Sequence, residues 1–117
     1  MDASVTMAGD REQLSAQTIH LIDRLFEPED RDEVRTVLAR ECGVNLPLIG
    51  PPSSARTHDR IRFGVLKLSE GDLTRLRDLV RHANHDWRDV LVWAGFGNSL
   101  TAHEQWARTI LNEPRAP

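Results

Sequence analysis

The sequence predicts an all-α fold: a single compact bundle or orthogonal array of five to six helices. Three observations carry that prediction. Apolar residues recur at the three-to-four-residue spacing of a buried helical stripe in one segment after another. Cap-forming residues precede most of these stripes, and glycine or proline follows them. The alternating stretch Ile61-Arg62-Phe63-Gly64-Val65 would also suit a strand, but nothing else in the chain offers it a pairing partner.

The expected centre is the stretch Asp86 to Phe96. At about 100° per residue, Trp87, Val90, Leu91 and Ala94 share one helical face. Val92 and Trp93 point elsewhere, so a helix over about 86–95 is apolar nearly all round. Such a helix is expected to be enclosed by its neighbours.

The elements follow in order. Residues 1–9 are small, polar and aperiodic, and are expected to fray. Asp10-x-x-Gln13 has the form of a capping box, and Leu14, Thr18, Leu21, Ile22, Leu25 and Phe26 then trace an amphipathic helix. Pro28 stops or interrupts it. Asp30-x-x-Glu33 reads as a second box, followed by the stripe Val34, Val37, Leu38 and Cys42, with Gly43 at a left-handed C-terminal position. Residues 43–57 contain Pro47, Pro51 and Pro52 and are expected to be a loop strapped down by Leu46, Leu48 and Ile49. A helix is expected from about His58 to Leu68. Ser69-x-x-Asp72 opens the next, with Leu73, Leu76, Leu79, Val80 and Ala83 on its core face. Asn84 or His85 breaks it, and Asp86 begins the central helix, which Gly95 and Gly97 close. Thr101-x-x-Glu104 caps the last helix, carrying Trp106, Ile110 and Leu111 until Pro114. The expected domain covers residues 10–112, with 113–117 as a solvated tail.

The chain has 117 residues, enough for one domain with a core of its own. One cysteine excludes an internal disulfide. No basic leader or long apolar run opens the chain and no stretch has the length of a membrane span, so a cytoplasmic protein without a membrane partner is expected. Residues 1–41 carry ten acids and five bases, whereas residues 54–82 carry seven bases and four acids. This polarity suits a solvated surface and would also steer a protein partner or a second copy of the chain.

The runs Glu41-Cys42-Gly43-Val44-Asn45-Leu46-Pro47, Arg60-Ile61-Arg62-Phe63, Leu66-Lys67-Leu68-Ser69-Glu70-Gly71-Asp72-Leu73 and Asp86-Trp87-Arg88-Asp89-Val90-Leu91 resemble those of small uncharacterised bacterial proteins, over roughly residues 40–107. The resemblance implies a bacterial single-domain protein and no particular activity. Separately, Arg77-Asp78-Leu79-Val80-Arg81-His82 resembles the Arg-x4-His motif of the HEPN ribonucleases. That resemblance implies that His82 would act on the 2′-hydroxyl or leaving oxygen and Arg77 would stabilise phosphate charge. A solvated helix face explains the same residues.

Other constellations have plain structural readings. His82, His85 and Asp86, with His103, are metal-ligand types, but no second pair completes a tetrahedral shell, and no metal or cofactor is expected. Cys42 lies on an apolar stripe at a helix C-terminus, where thiolate is disfavoured, so a core cysteine is expected. Trp87, Trp93 and Trp106 are expected to pack, with Trp93 the one that leaves the main face. Asp86 and Asp89 flank Arg88 in a first helical turn, as capping and a local ion pair would require. Two helices with a tight link at 84–86 admit a DNA-binding helix-turn-helix, yet Val90, Leu91, Val92 and Trp93 stand where base-reading polar groups belong, and the net charge of −3 disfavours nucleic acid. The sequence therefore points to a non-enzymatic interaction, accessory or adaptor domain, with Leu48, Ile49, Arg56, Arg60, Arg62 and Trp93 as expected contacts. A ribonuclease using Arg77 and His82 is the alternative, and a DNA-binding regulator the second.

Overall fold

In the computed structural model the described residues are 14–43, 45–47 and 55–113. They form five helices: α1 Ala16–Leu25, α2 Pro28–Glu41, α3 Ala55–Ser69, α4 Leu73–Ala94 and α5 Ala102–Asn112. The fold is all-α.

Helix starts depend on which side chain reaches an orphan backbone N–H, and here the structure corrects several expected boxes. Asp10 and Gln13 lie outside the described residues. The cap of α1 is Ser15, whose hydroxyl accepts from the Thr18 N–H at 3.1 Å. Pro28 both ends α1 and begins α2 at its first position, where the missing N–H costs nothing. Asp30 and Glu33 therefore already lie inside the helix. At the other end of α2 the helix stops at Cys42, with φ −139° and ψ 60°, and side chains take up its last carbonyls. The Glu41 carbonyl accepts from the side-chain amides of Asn45 at 3.1 Å and Asn84 at 2.9 Å. Ser69 belongs to the end of α3, where its hydroxyl donates to the Leu66 carbonyl, and Asp72 caps α4 by accepting from the Arg75 N–H at 3.1 Å. Thr101 makes no side-chain cap on α5. The Ser99 hydroxyl accepts from the N–H groups of Thr101 and Ala102 at 3.2 and 3.1 Å in its place.

The two helices expected on either side of residues 84–86 form one run with a sharp bend. Asp86 has an extended backbone, with φ −159° and ψ 102°. Its carboxylate accepts from the Arg88 N–H at 3.0 Å, the bond of an N-cap, so residues 87–94 are a second helix starting against the end of the first. The bend is steep. The rings of His82 and Trp93 lie 5.3 Å apart, whereas eleven positions along a straight helix would be separated by about 16 Å. Gly95, left-handed at φ 83°, closes this limb as expected. Its N–H reaches the Val92 carbonyl at 3.1 Å and the Phe96 N–H reaches Leu91 at 2.8 Å, the paired bonds of a Schellman motif.

The centre of the fold is α3. Its six consecutive residues Ile61 to Leu66 are all buried, Arg62 included. It packs against α1, α4 and α5. The expectation of an enclosed helix over 86–95 is corrected: Val90, Leu91 and Ala94 are buried, Trp87 is partly buried, and Val92 and Trp93 are exposed. This limb lies on one side of α3, with Gly64 at the contact. A Cβ there would stand 3.3 Å from Val90 and 3.5 Å from Ala94. Phe26, Val34, Leu38, Cys42 and Leu46 extend the same core beneath α2. Among the described residues no helix is long and apolar enough to cross a membrane.

Polar ties fix the helices to one another. Asp59 of α3 accepts from Ser15 and Thr18 at 3.2 and 3.1 Å, setting a carboxylate at the positive end of α1. Arg31 of α2 donates to the Phe26 and Asp23 carbonyls at 3.0 and 2.9 Å, satisfying the C-terminus of α1. The α3–α4 turn meets α1 at Gly71 (φ 80°), where an added Cβ would stand only 2.6 Å from the Leu25 carbonyl oxygen.

Candidate interaction surface

The residues marked by sequence fall into very different environments. Leu48 and Ile49 lie outside the described residues. Arg62 is 1% exposed, and its Nε donates to the Cys42 carbonyl at 2.8 Å. It therefore offers nothing to a partner, which corrects its reading as a contact. It is the cap of α2's C-terminal end and a core residue. Arg60 is also occupied within the fold. Its Nη2 donates to the carbonyls of Phe96 at 2.5 Å and Ser99 at 3.3 Å, pinning the loop 95–101 onto α3. Arg56 is exposed but pairs with Glu104 at 3.4 Å and reaches the Leu100 carbonyl at the same distance.

Trp93 is the expected contact that remains open. It is 51% exposed and its neighbour Val92 is 67% exposed, while Leu100, on the loop that follows, is 68% exposed. The bend at Asp86 produces this exposure. The short limb 87–94 is directed by its buried face, Val90, Leu91 and Ala94, towards α3, so the two residues between Leu91 and Ala94 face away. Gly97 folds back beside Val92 without covering it. The Trp93 and His82 rings meet at 5.3 Å in a T-shaped contact, which narrows the orientations open to the indole. A half-exposed indole restricted in orientation pays less ordering entropy on binding than a free one.

Arg77 and His82 do not converge. Five positions along a helix separate them by about 140° around its axis. Arg77 pairs with Glu33 of α2. His82 faces Trp93 on one side and Asp78 at 3.8 Å on the other. The two side chains thus have separate partners in the fold. His103 lies on α5, 1% exposed, and among the described residues no group of three or more His, Cys, Asp or Glu is gathered to hold an ion. Cys42 is fully buried, as expected. Asp86 and Arg88 form the local pair expected of them, with the two N···O contacts both at 2.8 Å. Hydrogen bonds from the Arg88 side chain hold the Asp86 carboxyl below the ordinary carboxylate range.

Among the described residues, two grooves lie between α2 and α4. One, of about 380 Å³, is lined by Glu33, Val37, Glu41, Arg77 and Arg81. The next, of about 300 Å³, is lined by Glu41, Asn45, Val80, Arg81, Asn84 and His85. Several of their polar groups are already paired. Arg81 pairs with Asp78 at 2.6 Å, and the Asn45 amide donates to Asn84 Oδ1 at 2.8 Å. Their walls read as a polar seam joining two helices.

Sequence reading missed two features. The Asn45–Asn84 clamp joins positions 39 apart, and single asparagines carry no periodic signal. His103 was read as a remote ligand type, yet it is enclosed by Phe63 and Phe96, at ring distances of 5.4 and 6.2 Å. Its place on the Ala107 face of α5 was the available hint. No family model, curated protein or solved structure matches the chain.

Proposed function

We propose that this domain is a non-enzymatic protein-interaction module, an accessory or adaptor component that engages a protein partner through Val92 and Trp93. The observation that carries the reading is the placement of these two residues. They are large, adjacent and open to solvent on a limb whose other face belongs to the core. Tryptophan is among the residues that dominate binding energy at interfaces, because it buries a large area with few rotatable bonds. Arg88 and Asp89, exposed on the same limb, supply a polar rim of both signs. Arg56, a second exposed residue, pairs with Glu104 and reaches the carbonyl of exposed Leu100.

A photo-activated cross-linking residue placed at position 93 in the native cell tests the proposal, with the same residue at exposed Thr36 on α2 as control. Defined adducts are expected from position 93 and not from position 36. Trp93→Ala should abolish adducts formed from position 92 while lowering stability by less than about 1 kcal/mol, as for a surface substitution. Equal labelling from both positions would refute the proposal.

A further inference from the structure

Histidine 103 occupies an unusual place. It is 1% exposed at the start of α5, walled by Phe63 of α3 and Phe96 of the 95–101 loop. Trp106 closes the cluster, 6.3 and 6.1 Å from those two rings. Its Nε2 faces Glu104 at 3.9 Å, too far for a hydrogen bond, and its Nδ1 has no partner among the described residues. Both nitrogens of an imidazolium are donors, so a second proton would leave an N–H buried without an acceptor.

The surrounding charges do not offset this. From α3, Arg56 and Arg60 oppose a positive charge on the ring and Asp59 favours it. Asp59 is held by the Ser15 and Thr18 hydroxyls, its contacts from α1. Asp23 of α1 turns to Arg35 of α2. On α5 itself Glu104 favours the charge but is paired with Arg56. Lys67 of α3 sits over the Phe96 ring at 5.1 Å, adding a further cation on that side. Residues 95–101 contain no titratable side chain. Burial, the largest influence, pushes His103 below the ordinary imidazole value.

We infer that the contact of His103 with Phe63 and Phe96 is an acid-sensitive latch, which releases the 95–101 loop and the first turn of α5 from α3 when the imidazole takes up a proton. The loop is suited to this. Beyond the backbone bonds of Gly95 and Phe96 to the end of α4, it is held by side chains reaching its carbonyls, Arg60 to Phe96 and Ser99 and Arg56 to Leu100, together with the buried Phe96 ring. Swinging away lets the imidazolium reach water and uncovers Phe96, directly after the limb that carries Val92 and Trp93. The sign is fixed by linkage. The open form takes up the proton at about 6.5 and the closed form only lower, so closure is favoured above about 6.5 and weakens as pH falls from there towards the closed-state value. The latch is independent of whether Trp93 binds a partner.

Amide hydrogen exchange of the full chain between pH 7.5 and 5, corrected for intrinsic rates, tests it. Protection at residues 95–105 should fall by about tenfold per pH unit below about 6.5 while α2 keeps its protection. His103→Phe, which keeps a ring in the cluster and takes up no proton, should remove that slope. A slope that persists in the variant, or equal loss in α2 and α5, overturns the inference. Should the variant fail to fold, the His103 ring resonances of the native protein decide. Titration below about 6.5 supports the latch, and titration at or above it refutes it.

Discussion

Gly71 and Gly95 share one backbone conformation and differ in what stands in front of them. Both are left-handed, at φ 80° and 83°. An L-residue in that region costs about 1–2 kcal/mol, so alanine at either position incurs that much. At Gly95 nothing further is added, because the nearest atom to a new Cβ is the flexible Lys67 ammonium at 3.9 Å. At Gly71 the new Cβ would stand 2.6 Å from the Leu25 carbonyl oxygen, which is backbone at the end of α1. Relieving the clash requires moving α1 against α3, an overpacking strain of about 1–3 kcal/mol. Gly95→Ala should therefore cost about 1.5 kcal/mol and Gly71→Ala about 3–4. With an unfolding entropy of about 2.1 cal/mol/K per residue, 1 kcal/mol corresponds to about 4 °C here, so the midpoints should fall by about 6 and 14 °C. Thermal unfolding followed by circular dichroism measures both. Equal losses in the two variants would refute the argument that α1 presses on the turn.

Three more outcomes are expected. Arg62→Met keeps an unbranched apolar stem, vacates the space of the guanidinium and withdraws the donor from the Cys42 carbonyl. It should cost about 1–3 kcal/mol in urea titrations without changing the denaturant slope. Asn84→Ala removes two donated bonds, to Glu41 and Val80, and the acceptor for Asn45. It should cost about 1–2 kcal/mol and speed amide exchange at the end of α2 before that of α1. The Asp86 carboxyl, followed by NMR, should titrate below the ordinary aspartate range and rise in Arg88→Ala, which loses the side-chain bonds and keeps the backbone one. With its folded value depressed, its contribution is present above the unfolded value and fades as pH falls towards the folded one.

What the sequence made legible was the set of apolar stripes. Val34, Val37 and Leu38, then Leu76, Leu79, Val80 and Ala83, are buried where their spacing put them. Asp86 was legible as a helix start because an aspartate there accepts from a local N–H whatever the tertiary structure. The capping boxes were less reliable. Thr101 and Glu104 have the right spacing, but Glu104 is drawn to Arg56 and Ser99 supplies the cap. The enclosure of α3 was hidden by its charges. Arg60, Arg62 and Lys67 read as a solvated face, yet each reaches a carbonyl at the end of another segment. The apolar run at 90–94 misled in the opposite direction. A limb of two turns with one neighbour has room to bury only part of its circumference, so Val92 and Trp93 stay outside. Trp93 was expected to leave the main helical face and is exposed, whereas Arg62 belongs to the core.

The burial of Ile61 through Leu66 on every side constrains how the chain can be shortened. Each peripheral helix in contact with this rod supplies a different portion of its sheath. Cutting the chain before residue 102 would strip the cover from Phe63 and leave a greasy trough along the rod, inviting aggregation rather than yielding a smaller soluble fragment. Deleting a single residue inside 61–66 would turn everything beyond it by about 100° and set Arg62 and Phe63 against the wrong walls. Length variation between relatives of this fold should therefore concentrate in the links between helices and leave that rod untouched.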